Sequence, residues 1–161
     1  MSASFDPIAE AAALAGEFRV DAAERDLAAG TAWPQRERIR GSGLLKLMIP
    51  RQYGGLGGDW PTTLRTIREV ATADGSLAHV YGYHHLGVIT PHLLGTLEQR
   101  ARWYEKTAAE DVFWGNSLNP LDPRTTLTPA ADGGFLLSGA KSFCTGAMGS
   151  DLLLVSATLA G

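Results

Sequence analysis

At Asp111 the chain changes its hydrophobic period, and that change constrains the fold more than any other feature. From Asp6 to Glu110 apolar residues recur at three- and four-residue spacing, as on amphipathic helices. Beyond Asp111 they come in short alternating runs, as on strands. A chain of 161 residues with that order is an α+β protein. A helical unit, residues 1–110, leads into the first strands of an antiparallel β unit, residues 111–161.

The helical unit divides at its punctuation. Asp6-Pro7 is a start signal, a capping carboxylate followed by proline at the first helical position. Ile8, Ala11, Leu14, Ala15, Phe18, Ala22 and Leu27 then predict one helix closed by Gly30. A second, shorter helix starts at Pro34 and ends at Gly41 and Gly43. Its Arg36, Arg38 and Arg40 read as a solvated face rather than a phosphate clamp. Leu44–Trp60 is a connector, because Gly54, Gly55, Gly57 and Gly58 exclude regular structure. It lacks the Lys-Ser/Thr ending of a P-loop and the strand–glycine–helix setting of a dinucleotide fingerprint, so it reads as a structural loop. Asp59-Trp60-Pro61 opens a helix with Leu64, Ile67, Val70 and Ala71 on its apolar face. Ser76 is expected to cap the next, which runs to about Ile89 with Leu77, Val80, Tyr81, His84 and Val88 inward. Thr96 caps the last. Strands are predicted at Val112–Trp114, Thr125–Thr128, Gly134–Ser138 and Leu152–Thr158.

A net charge of −3 gives no reason to expect nucleic acid or an anionic membrane as partner. No apolar run reaches the roughly 18 residues of a membrane span. One cysteine excludes an internal disulfide and points to a reducing, cytoplasmic setting. The histidines cluster on one helix without metal-ligand spacing, so no metal site is expected.

The stretch with the clearest chemical character is Gly139–Asp151 followed by Leu152-Leu153-Leu154-Val155. It reads as strand, tight turn, strand. Thr145 stands on a glycine corner where Gly146 and Gly149 permit positive φ and close backbone approach. A flat, polar-edged ligand suits such a corner; a turn hydroxyl that satisfies its own backbone is the alternative.

Four segments, taken in order, resemble the acyl-CoA dehydrogenase superfamily. They are Ile49-Pro50-Arg51-Gln52-Tyr53-Gly54-Gly55-Leu56-Gly57-Gly58; Gly95 with Leu97–Tyr104; Asp132–Lys141; and Phe143-Cys144-Thr145-Gly146, where that family has Trp-Ile-Thr-(Asn/Ser/Gly). Three features are similar to its flavin-dependent monooxygenase branch, that of the dibenzothiophene monooxygenases. His79-Val80-Tyr81-Gly82-Tyr83-His84-His85 is aromatic and histidine-rich, and Trp114-Gly115-Asn116 replaces the dehydrogenase Leu-Thr-Glu pattern. Lys141–Asp151 resembles the branch's Lys-x-Phe-Cys-Ser-Gly-Ala-x-Gly-Ser-Asp, with threonine in place of the serine.

The resemblance implies an N-terminal helical domain, a β-barrel-like middle domain and a C-terminal four-helix bundle that also builds a homotetramer. The sequence would cover the first and open the second. A few strands with an open edge are rarely stable, so the chain reads as an N-terminal portion, with weak or no flavin binding by itself. The implied activity is monooxygenation of a small sulfur- or nitrogen-containing or aromatic compound through a flavin C4a-hydroperoxide. Reduced FMN would come from a partner reductase. An FAD-dependent acyl-CoA dehydrogenase fragment and a catalytically inert remnant are the alternatives.

By the same resemblance the catalytic set is His79, Tyr83, Asn116 and Thr145. The cofactor would rest on Trp114, Asn116, Ser117, Cys144, Thr145 and Gly146. His79 and Tyr83, four apart, share a helix face; a buried polar pair is their alternative, and a strand-end cap is that of Asn116. Cys144 reads as a small packing residue, since no basic partner is evident. Of His84 and His85, at least one is expected at the surface.

Overall fold

The computed structural model describes residues 5–160. Six helices precede five short strands: α1 Pro7–Arg19, α2 Ala22–Ala28, α3 Trp33–Gly41, α4 Trp60–Ala71, α5 Gly75–Leu94 and α6 Leu97–Glu110, then β1 Trp114–Ser117, β2 Thr125–Pro129, β3 Phe135–Gly139, β4 Leu152–Val155 and β5 Thr158–Leu159. The expected order of helices and strands therefore holds. The outer limits expected for the two units, residues 1 and 161, lie outside the described residues.

α1 begins where its cap dictates. Asp6 accepts the amides of Ile8 and Ala9 at 2.9 and 3.2 Å, a device worth about 1 kcal/mol. Ala11, Leu14, Ala15 and Phe18 then point inward, and each large side chain so buried contributes about 1.5–3 kcal/mol. The helix does not run on to Gly30. It breaks at Asp21, whose φ of −124° and ψ of 12° are not helical, and Leu27 is 88% exposed instead of buried. α2 is held through Arg25, which donates to the Phe18 carbonyl and to Asp74 at 3.1 and 2.8 Å and pairs with Asp21. Burial pushes the Asp74 carboxyl upward, but the Arg25 hydrogen bond and the Leu77 amide outweigh it and leave its pKa lowered. Asp74, not Ser76, caps α5.

The glycine connector consumes its own amides. Gly55 N–H donates to Pro50 O, Leu56 to Lys46 O, Gly57 to Ile49 O and Gly58 to Leu47 O, at 2.7–3.3 Å. No free N–H row remains for a phosphate, which supports the structural reading. Two 3-10 turns, Leu44–Lys46 and Arg51–Tyr53, flank it. On α4 the buried positions are Thr63, Thr66 and Val70, whereas Leu64 and Ala71 are exposed. The apolar face is rotated because Thr63 and Thr66 satisfy their hydroxyls on the Asp59 and Thr63 carbonyls, which removes the cost of burying them. α5 runs through Pro91 to Leu94, five residues beyond the expected end at Ile89.

Two apolar clusters result. One joins α1, α3, α4 and α5 through Leu14, Phe18, Ile39, Val70 and Tyr81. The other joins α5, α6 and β1 through Val88, Tyr104, Ala108 and Trp114. The strands form two small sheets. The β2–β3 hairpin is antiparallel as expected, while β1 pairs β4 and β2 pairs β5 in parallel. The long stretches of chain that separate β1 from β4 and β2 from β5 allow this, since a parallel pair needs a crossover that a tight hairpin cannot supply.

His84 and His85 are both fully buried, which corrects the expectation of a surface histidine. The Trp114 amide donates to His84 Nδ1 at 3.2 Å, so the ring proton is on Nε2 and is donated to Leu45 O at 2.9 Å. His85 packs edge-on against Tyr81 and His84, and neither of its nitrogens has a partner. Burial pushes His84 down to about 4, and the Arg40 charge adds to this against the Leu45 bond. Burial and His84 hold His85 well below its ordinary value.

Both rings must be neutral in the folded state and take protons in the unfolded chain, so stability falls as pH drops below about 6.5. The loss is about 1.4 kcal/mol per pH unit for each histidine. Asp74 and Asp151, both lowered, lose their contribution only below the ordinary carboxylate value of 3.8. Thermal unfolding between pH 6.5 and 4.5 should therefore show a steep decline in Tm that His85→Phe roughly halves. An unchanged slope in that variant would refute the neutral burial of His85.

Candidate functional site

The glycine corner is built from two consecutive turns. Ala147 N–H donates to Cys144 O at 3.1 Å and Ser150 N–H to Ala147 O at 3.4 Å. Gly146 and Gly149 have φ of 71° and 82°, values that favour glycine. Phe143 also has a positive φ, 59°, and is 84% exposed. A bulky residue there costs energy that its surroundings must offset.

β1 lies directly beneath the corner. Asn116 N–H donates to Thr145 O at 2.9 Å, and Ser117 Oγ lies 3.1 Å from Cys144 Sγ. Contact is close because glycine stands on both sides: a Cβ on Gly115 would lie 2.8 Å from Ser150 and 2.9 Å from Gly146 O. Asn116, Ser117, Cys144, Thr145 and Gly146, all expected at the site, thus form one cluster. The Asn116 side chain is buried and, among the described residues, its Oδ1 has no hydrogen-bond partner. Among the described residues the Thr145 hydroxyl makes no hydrogen bond.

The α5 face meets the corner at Val80, whose Cγ1 would be 3.3 Å from a Cβ on Gly146. His79, one residue before Val80, and Tyr83, three after it, stack on each other with ring centroids 4.8 Å apart. His79 is exposed, Tyr83 is half-buried, and among the described residues neither makes a side-chain hydrogen bond. Trp114 is committed elsewhere: its indole N–H donates to Thr107 Oγ1 at 2.9 Å, and its ring meets Trp103 edge-on. Gly87 admits it, since a Cβ there would lie 2.8 Å from that of Trp114.

Behind the corner Asp122 is the anchor. Arg124 donates to both of its oxygens at 2.7 and 2.6 Å, and the Ser142 amide and hydroxyl donate to Oδ2 at 2.9 and 3.1 Å. The Arg124 guanidinium, with the Ser142 amide, holds this carboxyl well below the usual carboxylate range. Lys141 Nζ donates to the carbonyls of Asn119 and Asp122 at 2.7 and 2.8 Å. Neither Asp122 nor Arg124 was expected to matter. The Asp-Pro-Arg spacing suits a local ion pair, but nothing in it points to Ser142.

The expectation that Arg36, Arg38 and Arg40 form a solvated face fails for Arg36, which is 3% exposed. Its Nη1 and Nη2 donate to Met148 O and Gly149 O at 3.0 and 2.6 Å. Arg40 Nη1 reaches Asp151 at 2.7 Å, and Arg38 pairs at the surface with Glu17. The i, i+4 spacing of Arg36 and Arg40 placed both on one helix face; the signal missed was the inward Ile39 beside them.

A cleft of about 710 Å³ opens beside the corner, between Arg25, Thr31, Asp74 and Leu77, and reaches Val80, Cys144 and Gly146. His79, Tyr83, Asn116 and Thr145 do not line it. Among the described residues no group of three or more His, Cys, Asp or Glu side chains is placed to hold a metal, and no helix is long and apolar enough to cross a membrane.

The cluster fits a planar, polar-edged ring. The orphaned Asn116 Oδ1 would accept an N–H and the Thr145 hydroxyl is free to donate or accept, while Gly115 and Gly146 let β1, the corner and Val80 pack closely enough to hold both groups in place.

Residues 9–111 match the model of the acyl-CoA dehydrogenase N-terminal domain. The chain is 46% identical to dibenzothiophene monooxygenase of Rhodococcus qingshengii over 96% of its own length. It is 47% identical to the probable FMNH2-dependent monooxygenase SfnC of Pseudomonas putida over 93%. It spans 38% of the length of each of these curated relatives. The solved methanesulfinate monooxygenase MsuC of Pseudomonas fluorescens superposes with a TM-score of 0.94 at 46% identity, over 98% of this chain and 40% of that one.

If Gly115 is required for the approach of β1 to the corner, Gly115→Ala should lower stability by about 1–3 kcal/mol through overpacking. Gly16→Ala in α1, where a Cβ meets nothing within 4 Å, should raise it by about 0.5–1 kcal/mol. Urea unfolding of the two variants checks both signs; a neutral Gly115→Ala would mean the corner is not packed as described.

Proposed function

The chain belongs to the acyl-CoA dehydrogenase family through its N-terminal domain, and from that premise we propose that it forms part of a reduced-FMN-dependent monooxygenase. The substrate is a small sulfur- or nitrogen-containing or aromatic compound. One observation carries the reading: a buried Asn116 with an unpartnered acceptor, tied by its own amide to the peptide of a Thr145 whose hydroxyl is free. Sulfur is favoured because dibenzothiophene and methanesulfinate are the compounds named for two of the relatives.

When bound, reduced flavin would supply the two electrons that activate O2, one atom of which enters the substrate while the other leaves as water. The chain's own residues bind, orient and exclude water. Asn116 Oδ1 takes a ring N–H, and Thr145 addresses the same edge with its hydroxyl. Ser117, Cys144 and Gly146 shape the floor, where glycine lets the corner pack against Val80 of α5. Trp114 supports that floor from below, since its indole is bound into the helical core. His79 and Tyr83, stacked on α5 beside the corner, face the substrate side and place a proton donor there. Asn116 and Thr145 act as fixed dipoles, which lose little reorganisation energy when charge develops. A flavin reductase is the diffusive partner, and a reducing cytoplasm is the compartment this chemistry implies. Residues up to 110 serve as the wall that carries α5, and those from 111 onward bear the floor.

The test uses the polypeptide that carries this chain, reduced FMN from an NADH-driven reductase, and 18O2. One labelled oxygen atom should enter dibenzothiophene or methanesulfinate. Thr145→Ala and His79→Ala should each lower product per oxygen consumed by about tenfold or more and raise hydrogen peroxide correspondingly. Wild-type coupling in both variants overturns the assignment of these residues, and absence of label from both substrates overturns the substrate class.

A further inference from the structure

We infer that Arg36 is the positioning residue of the glycine corner: a buried guanidinium on α3 that fixes where the Thr145 turn sits above β1. The geometry carries it. Nη1 donates to Met148 O at 3.0 Å and Nη2 to Gly149 O at 2.6 Å. One planar fork therefore holds two successive carbonyls, a task a lysine ammonium does not reproduce. The fork is itself held: its carbon lies 4.7 Å from the Phe113 ring centroid and 5.3 Å from that of Trp33. Phe113 is the residue before β1, so the guanidinium touches the floor and the corner at once.

The far end of the corner is fixed in parallel. Asp151 accepts from Arg40 and from the Phe113 amide, each at 2.7 Å, and its own amide donates to Phe113 O at 2.9 Å. At the near end Asn116 N–H holds Thr145 O. Between these ends the Met148 and Gly149 carbonyls accept from Arg36. The cost of burying this charge is offset by both carbonyls, the two aromatic faces and the nearby Glu37 and Asp151 carboxylates. Gly149 completes the fit: a Cβ there would strike the Arg36 guanidinium and the Trp33 ring. The relevance to catalysis rests on the reading of Thr145 and Asn116 given above; the clamp itself does not.

Hydrogen exchange of the polypeptide that carries this chain, read residue by residue, decides the matter. In Arg36→Met the amides of Asn116, Ala147 and Ser150 should exchange about tenfold faster or more, because the corner opens locally. Those of Gly57 and Gly58 in the connector and the β2–β3 ladder should not change. Arg36→Lys should give a partial effect. Gly149→Ala should loosen the same three amides, and the double variant should add little to either single one. Unchanged exchange at the three amides in Arg36→Lys and Gly149→Ala, or acceleration spread evenly over the chain, overturns the clamp.

Fluorescence titration with FMN separates the two claims. Loosened amides with weakened FMN binding support both. Loosened amides in a polypeptide, carrying this chain, whose wild type binds no FMN support the clamp and count against the flavin reading. Loosened amides with undiminished FMN binding overturn the positioning role at the ligand site.

Discussion

One neutral imidazole ties the helical unit to the strands. His84 takes the Trp114 amide on one nitrogen and gives its proton to the Leu45 carbonyl with the other. The connector, the longest helix and the first strand therefore meet on a single buried ring. A buried polar group so placed is inexpensive only while both bonds are kept. Protonating Nδ1 would set an N–H against the Trp114 N–H. The position of β1, and with it Asn116 and Ser117, depends on that ring staying uncharged.

Much of the architecture was legible in the residues because local chemistry and tertiary packing agree. Asp6-Pro7, Asp59-Trp60-Pro61 and Thr96 with Gln99 each start a helix where cap and proline rules place one. The glycine connector is irregular as expected. Where the reading failed, a tertiary contact outweighed a local signal. Asp74, drawn by Arg25, caps α5 in place of Ser76. Pro91 does not stop α5, although proline in a helix interior removes a bond and crowds the preceding turn. Leu27 looked inward by period and is outward because the helix breaks at Asp21. No periodicity encodes such events.

The site was legible in part. Thr145, Gly146, Cys144, Asn116 and Ser117 do come together, since the turn and the strand beneath it were both visible as patterns. His79 and Tyr83 stack as their spacing requires. Arg36 was misread because charge on a short helix ordinarily faces water, and the carbonyls that receive it lie 112 and 113 positions later in the chain. Long-range satisfaction of a backbone carbonyl leaves no mark in a linear pattern. The expected surface histidine was misplaced because packing, not hydrogen bonding, sets its surroundings: His85 lies edge-on to Tyr81 and His84, and among the described residues its nitrogens have no partner.

The connector and the β2–β3 hairpin also differ in what length change each can absorb. Residues 55–58 send four amides back across the preceding 3-10 turns, so one inserted residue shifts every donor off its acceptor. The Asp132-Gly133-Gly134 tip is exposed and closes on itself through Ala130 and Gly134. A grafted segment there would cost little beyond the closure entropy of a longer loop. The molecule thus has one end of fixed spacing, where the helical wall is measured against the strands, and one end open to elaboration.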